Sequence, residues 1–188
     1  MPDYFALLGV DRRPWMDVAA LRERFQQGAA RLHPDAGGDA GRFAEWNEAW
    51  RVLSAPALRL RHLMELEGVA AASMGSGVPA GLADGFLQMA GLSREHAGYL
   101  ERRGAATGAM ARALLAEEAA GLRARWAALG GVLERAAAAA GERLRGIDAR
   151  WAEAGGGGWD GLSALQRELA LLDRWEEQVR GARLELSF

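Results

Sequence analysis

The 188-residue chain contains no cysteine. That excludes disulfides, thiolate zinc sites, thiol nucleophiles and cysteine-ligated iron–sulfur clusters built from its own side chains. It contains no lysine either. All 23 basic residues are arginine, and heavy alanine and glycine use accompanies this, so arginine clusters reflect compositional bias and carry less weight than usual. The formal net charge is −2, which argues against a nucleic-acid binder held by phosphate contacts. No stretch approaches the roughly 20 apolar residues that cross a bilayer. Met1-Pro2-Asp3-Tyr4 has neither the basic start nor the apolar run of a signal peptide. The expectation is a soluble, cytoplasmic protein.

Chemistry-bearing motifs are equally scarce. There are three histidines; His62 and His96 lie on apolar helical segments, where a structural role outweighs ligation. The run Gly155 to Gly158 lacks a following Lys-Ser/Thr, so it is a loop and not a phosphate cradle. No nucleophile or third orienting group accompanies His33 and Asp35 in a recognisable catalytic motif. No cofactor, no metal and no catalytic residue are expected.

What is present is helix. A short apolar run, residues 4–8, closes at Gly9, and Asp17 is placed to cap the next helix. Val18, Leu21, Phe25, Ala29 and Leu32 then recur at spacings of three and four and share one face. Ala20, Arg24, Gln27 and Arg31 form a separate, mostly solvated stripe. Phe43, Trp46, Trp50 and Leu53 make a second apolar face; two antiparallel helices joined by a loop of about ten residues bury both. Pro56 starts a short apolar helix that ends before Gly68. Residues 69–81 carry no charge and no period, which marks a linker.

Beyond residue 82 the pattern is helical throughout. Leu82, Phe86, Met89, His96 and Leu100 line one face, with Leu87, Leu92 and Tyr99 off it, facing either a third helix or a partner. Leu122, Trp126, Leu129, Leu133, Ala136 and Ala140 form a coiled-coil-like seam. Gly130-Gly131 within it is either a kink or a turn. A last helix spans about residues 159–186.

The loop between the first two long helices reads Leu32-His33-Pro34-Asp35-Ala36-Gly37-Gly38-Asp39. On its own it is a turn: Pro34 disfavours helix at His33, and Asp35 with Gly37-Gly38 supplies turn chemistry. Its flanks add more. Asp3-Tyr4-Phe5-Ala6-Leu7-Leu8-Gly9-Val10 precedes it, and Phe43, Asn47, Glu48-Ala49-Trp50, Leu53, Ser54, Pro56 and Arg59 follow. This extended pattern resembles a J-domain. Further on come His62-Leu63-Met64-Glu65-Leu66-Glu67-Gly68, Asp84-Gly85-Phe86-Leu87-Gln88-Met89 and Leu92-Ser93-Arg94-Glu95. With Trp159-Asp160, Leu169-Ala170-Leu171-Leu172-Asp173-Arg174 and Phe188, they are similar to the HscB-type branch, the co-chaperones of iron–sulfur cluster assembly. The likeness fades between Gly98 and Gly158. Three features depart from it: Ala36 in place of a basic residue, the shortened Gly37-Gly38-Asp39 loop, and Gly91 where that branch has a large apolar residue.

The resemblance implies an all-α protein. Residues 1–68 would form a J-domain, an antiparallel helical hairpin with short flanking helices. Residues 69–81 would be the linker, and 82–188 a bundle of three or four helices for client binding or oligomerisation. It implies a non-enzyme that docks on a DnaK/HscA-type heat-shock chaperone and stimulates its ATP hydrolysis. His33, Pro34 and Asp35 would be the trigger, flanked by Arg24, Gln27 and Arg31. Leu87, Leu92, Glu95 and Leu171 would hold the client, an iron–sulfur scaffold protein. Nucleic acid and membrane are not among the expected partners; a homo-oligomer is. Two alternatives stay open: a J-domain co-chaperone for a different client, and a structural helical protein that self-associates through the middle seam.

Overall fold

A computed structural model describes residues 1–69, 78–151 and 159–187. Among them it shows α-helices, two 3-10 turns and no strand. The helices are α1 (Tyr4–Leu8), α2 (Val18–Leu32), α3 (Ala40–Ser54), α4 (Pro56–Leu66), α5 (Ala83–Ala105), α6 (Ala109–Trp151) and α7 (Trp159–Glu185). Most of the expected linker, the Gly155–Gly158 run and Phe188 lie outside the described residues. No described helix is long and apolar enough to cross a membrane.

Aspartates start the first three helices. Asp3 accepts from the amides of Phe5 and Ala6, Asp17 from those of Ala19 and Ala20, and Asp39 from that of Arg42. Each satisfies donors that have no partner inside the helix. Pro56 opens α4, where a missing N–H costs nothing. The long helix α6 runs unbroken through Gly130-Gly131, so the described residues after 82 form three helices, not four. Two helical glycines cost about 1 kcal/mol each, which the burial of Leu129 and Leu133 on either side outweighs.

The chain divides into two compact units, Met1–Gly75 with Ala140–Ala170, and Ser76–Ala139 with Leu171–Phe188. Compactness thus groups the chain differently from chain order, because the terminal part of α6 and the first part of α7 pack with the N-terminal helices. In the second unit, Met89, Leu92 and Tyr99 of α5 are buried, as are Leu122, Trp126, Leu129 and Leu133 of α6 and Leu172, Trp175 and Val179 of α7. The α6 seam is therefore spent within the chain.

The first unit is built on the α2/α3 hairpin. Phe5, Leu8, Leu21, Ala49, Val52, Leu53 and Leu63 form its core, while Val18, at the start of α2, stays 38% exposed. The closest approach is at Gly28: a Cβ there would fall inside the indole of Trp46. That indole donates Nε1–H to the carbonyl of Phe25 at 2.9 Å. Arg59 of α4 is buried and donates to the carbonyls of Pro14 (2.9 Å) and Leu53 (2.6 Å). Burial pushes its pKa down to about 10, with the charge of Asp148 opposing, so it stays charged at neutral pH. Asp148 of α6, also buried, accepts from the Arg13 guanidinium at 2.6 Å and the Trp15 amide at 3.2 Å. These bonds fasten residues 11–16 to the helices on either side.

His62 ties α4 to α1. Its Nε2 accepts the Tyr4 amide at 3.2 Å, and its ring stacks on Tyr4 and Phe5. Burial lowers its pKa, outweighing the charges of Asp3 and Glu65.

Two stability measurements check this fold. Gly28→Ala would gain about 1 kcal/mol from helix propensity but must displace Trp46, an overpacking cost of about 1–3 kcal/mol. We expect a lower urea midpoint; a higher one would show that the close approach is absent. For His62, the depressed pKa means its neutral form stabilises the fold above about pH 6.5, and this contribution is lost as pH falls through the folded value. The drop in unfolding free energy from pH 7 to pH 5 should be smaller in His62→Gln than in the parent. Equal drops would refute the assignment.

Candidate functional site

The sharpest feature of the first unit is the tip between α2 and α3. His33 takes an extended conformation (φ −61°, ψ 131°), as a residue before proline must. Pro34–Ala36 then forms one 3-10 turn, in which His33 Nδ1 accepts the Asp35 amide at 3.2 Å. Gly37 N–H donates to Pro34 at 2.9 Å and Gly38 N–H to His33 at 3.1 Å. Gly37 sits at φ 82°, where an L side chain is strained. A Cβ on Gly38 would overlap the carbonyl of Leu32. The connection spans residues 33–39, shorter than the roughly ten residues a simple hairpin suggested. It is held by its own backbone.

The tip's chemistry follows from that geometry. With Nδ1 occupied as an acceptor, the neutral ring of His33 carries its proton on Nε2. The ring rests edge-on against Phe43, with centroids 5.1 Å apart. The Asp35 carboxylate lies 3.7 Å from Nδ1 and its side chain is 91% exposed. Because Nδ1 already accepts the Asp35 amide, the imidazole does not donate to that carboxylate. A donor and a free negative charge therefore sit side by side on a fixed, exposed turn. Among the described residues no group of three or more His, Asp or Glu could hold a metal.

Arg24, Gln27 and Arg31 lie at i, i+3 and i+7 on α2, one face leading to the tip. All three are exposed. Arg24 donates to the Gly9 carbonyl at 2.9 Å and Arg31 to the Gln27 carbonyl at 3.2 Å, contacts that orient the guanidiniums and leave their other N–H groups in solvent.

The other expected residues fall in the second unit and do not form one surface. Leu87 is 67% exposed, whereas Leu92 is 5% exposed and belongs to the core. Leu92 cannot offer its side chain to a client while the bundle is closed; it forms the floor of a groove of about 350 Å³ between α5 and α6. Glu95 is exposed and paired bidentately with Arg125 of α6, whose hydrogen bonds hold its carboxyl below the ordinary range against a small burial effect. Leu171 is half-buried. The α6 residues Arg125, Ala128 and Val132 complete the groove. Periodicity along α5 carries no signal for them.

No family model matches the chain. Its sequence is 41% identical over 76 residues to the co-chaperone protein HscB homolog of Bordetella avium, a match covering 36% of this chain and 45% of that protein. The chain thus matches just under half the length of that relative. In fold it is similar to the chaperone HscB from Vibrio cholerae, with a TM-score of 0.55 and 18% identity over 98% of this chain and 99% of that one. The human co-chaperone protein HscB is similar too, at a TM-score of 0.58 and 16% identity over 96% and 81%. About a third of the chain is thus similar in sequence to HscB co-chaperone homologs, and nearly all of it is similar to HscB in fold.

Beside that likeness the departures acquire physical content. The short loop closes because Gly37 and Gly38 meet conformational and steric demands that other residues fail. Gly91 leaves the α5/α6 groove open, since a Cβ there would meet nothing within 4 Å.

Gly38→Ala tests the locked turn. The added methyl meets backbone, which cannot yield as a side chain can, so about 1–3 kcal/mol of destabilisation is expected. Amide shifts should concentrate at residues 32–38 of the tip. Parent-like spectra and stability would mean the turn is looser than described.

Proposed function

We propose that this protein docks on a DnaK/HscA-type chaperone in the cytoplasm, stimulates its ATP hydrolysis, and presents to it an iron–sulfur scaffold protein held by residues 82–188. The observation that carries this reading is the His33–Asp35 tip: exposed, fixed by its own backbone, and offering a donor beside an unneutralised carboxylate. Such a tip suits insertion into a preformed polar cleft, because little conformational entropy is lost on docking. Arg24 and Arg31 supply positive charge along the approach, with Gln27 between them. Charges of this kind raise the association rate and set orientation more than affinity, so docking should weaken as salt rises. The protein performs no reaction of its own in this scheme; it is an activator.

The likeness to HscB over nearly the whole chain supports the scaffold protein as client over a different client. Leu87, Glu95 and Leu171 remain the proposed contacts, with Leu92 acting from beneath as groove floor.

Single-turnover ATP hydrolysis by the chaperone, with and without this protein and the scaffold, tests both halves. His33→Gln and Asp35→Asn should each reduce stimulation about tenfold or more, the equivalent of one charge-assisted hydrogen bond of about 1.5–3 kcal/mol. Absence of stimulation by the parent would overturn the reading. Leu87→Ala/Leu171→Ala should leave basal stimulation intact and remove the scaffold's contribution. If the scaffold's effect survives, the client surface lies elsewhere.

A further inference from the structure

The stripe of α2 that carries Arg31, Gln27 and Arg24 continues one turn further from the tip to Ala20, and there the surface changes character. Ala20 and Leu21 of α2, with Val10 and Met16 of the preceding loop, line a groove of about 290 Å³. Its floor is apolar: Leu21 belongs to the core, and Val10 and Met16 are half-buried against it. Arg24 stands at one end, where its guanidinium donates to the Gly9 carbonyl at 2.9 Å. Asp17 stands at the other, its carboxylate turned to the amides of Ala19 and Ala20. Pockets for small molecules begin at about 300 Å³, so this one suits a single side chain of a protein partner.

The loop that makes the outer wall does not hold its own shape. Among the described residues no backbone–backbone hydrogen bond involves residues 11–16. Side chains from other elements hold them instead. Arg59 donates to the Pro14 carbonyl, while Asp148 of α6 accepts from the Arg13 guanidinium and the Trp15 amide. Arg145, one turn earlier on α6, lies over the Trp15 ring at 5.6 Å. Arg12 adds pairs to Asp3 and Glu67 at the surface, where they contribute little. Buried and doubly bonded, Asp148 is the firmer hold. A residue far along the chain from α2 therefore sets the wall of a groove on α2.

We propose that this groove receives an apolar side chain of the same chaperone that the tip engages, a contact that presupposes the docking described above, and that Asp148 is a positioning residue for it. From Ala20 to His33 is about 20 Å along α2, at 1.5 Å per residue, so one partner surface can meet both ends of the stripe. Continuity favours the chaperone as occupant, because Arg24 belongs to the stripe and to the groove alike. The two ends then divide the work. The exposed arginines favour rate and orientation, whereas an apolar anchor seated in a pocket is what supplies affinity.

Single-turnover ATP hydrolysis by a DnaK-type chaperone, titrated with the full chain, separates affinity from maximal stimulation. Ala20 is exposed, so Ala20→Trp fills the groove without entering the core. It should raise the concentration for half-maximal stimulation about tenfold or more, and leave the maximum within about twofold of the parent, because the His33–Asp35 tip is untouched. Asp148→Asn should raise that concentration as well, with the maximum again preserved. In the Ala20→Trp background it should add nothing, since the groove is already closed; a merely destabilising change would add its full effect. Arg13→Gln/Asp148→Asn, which leaves no charge buried alone, makes the same test where Asp148→Asn does not fold. If the parent stimulates and Ala20→Trp matches it at every concentration, the groove is not a docking element, while the tip's role stands. Additive effects of the two substitutions would remove Asp148 from the contact. A parent that gives no stimulation would instead overturn the docking reading itself.

Discussion

The indole of Trp46 occupies the space that a side chain at residue 28 would fill, and this contact sets how closely α2 and α3 approach. The rest of the first unit depends on that distance. At one end it lets Leu21 reach Ala49, Val52 and Leu53, closing a core onto which α1 brings Phe5 and Leu8. At the other it brings the helix ends so near that only a turn with glycine at residues 37 and 38 can join them. His33 then lands against Phe43, and the tip is fixed by packing as well as by its own hydrogen bonds. A wider hairpin would keep the same helices and lose the rigid tip.

A second constraint is electrostatic. Arg59 and Asp148 are both buried, and each is satisfied by partners it does not share: two carbonyls for the arginine, a guanidinium and an amide for the aspartate. Buried ions of this kind give little net stability, because desolvation offsets most of the attraction. Their effect is selective: any rearrangement that separates residues 11–16 from α4 or α6 takes a hydrogen-bond partner from a buried charge. The same unit that carries the tip thus holds its connecting loop in one arrangement.

Legibility in the sequence followed the range of the interaction. Asp17 as a cap, Pro56 as a helix start and the turn at residues 33–39 were readable, because each is decided by neighbours a few positions away. The extended pattern around His33-Pro34-Asp35 carried the resemblance as well. Gly28 left no trace, since periodicity counts apolar positions and is blind to a glycine needed for close approach. Arg59 was visible as part of a pattern, but its two carbonyl partners were not. On α5, Leu87 and Leu92 looked alike as off-stripe apolar residues; packing within the second unit separated them, covering one and leaving the other in solvent.

The sequence by itself determined that this chain is helical, where most of its helices begin, and that a His-Pro-Asp turn joins two amphipathic helices. Local propensity, capping and helical period suffice for these, because they act within about one turn of helix. Only the tertiary structure decided that α6 crosses Gly130-Gly131 unbroken and that it and α7 are divided between two compact units. It alone decided that Leu92 faces inward. Those outcomes turn on which distant surface each side chain meets, and burial and charge pairing across helices are set by partners far away in the chain.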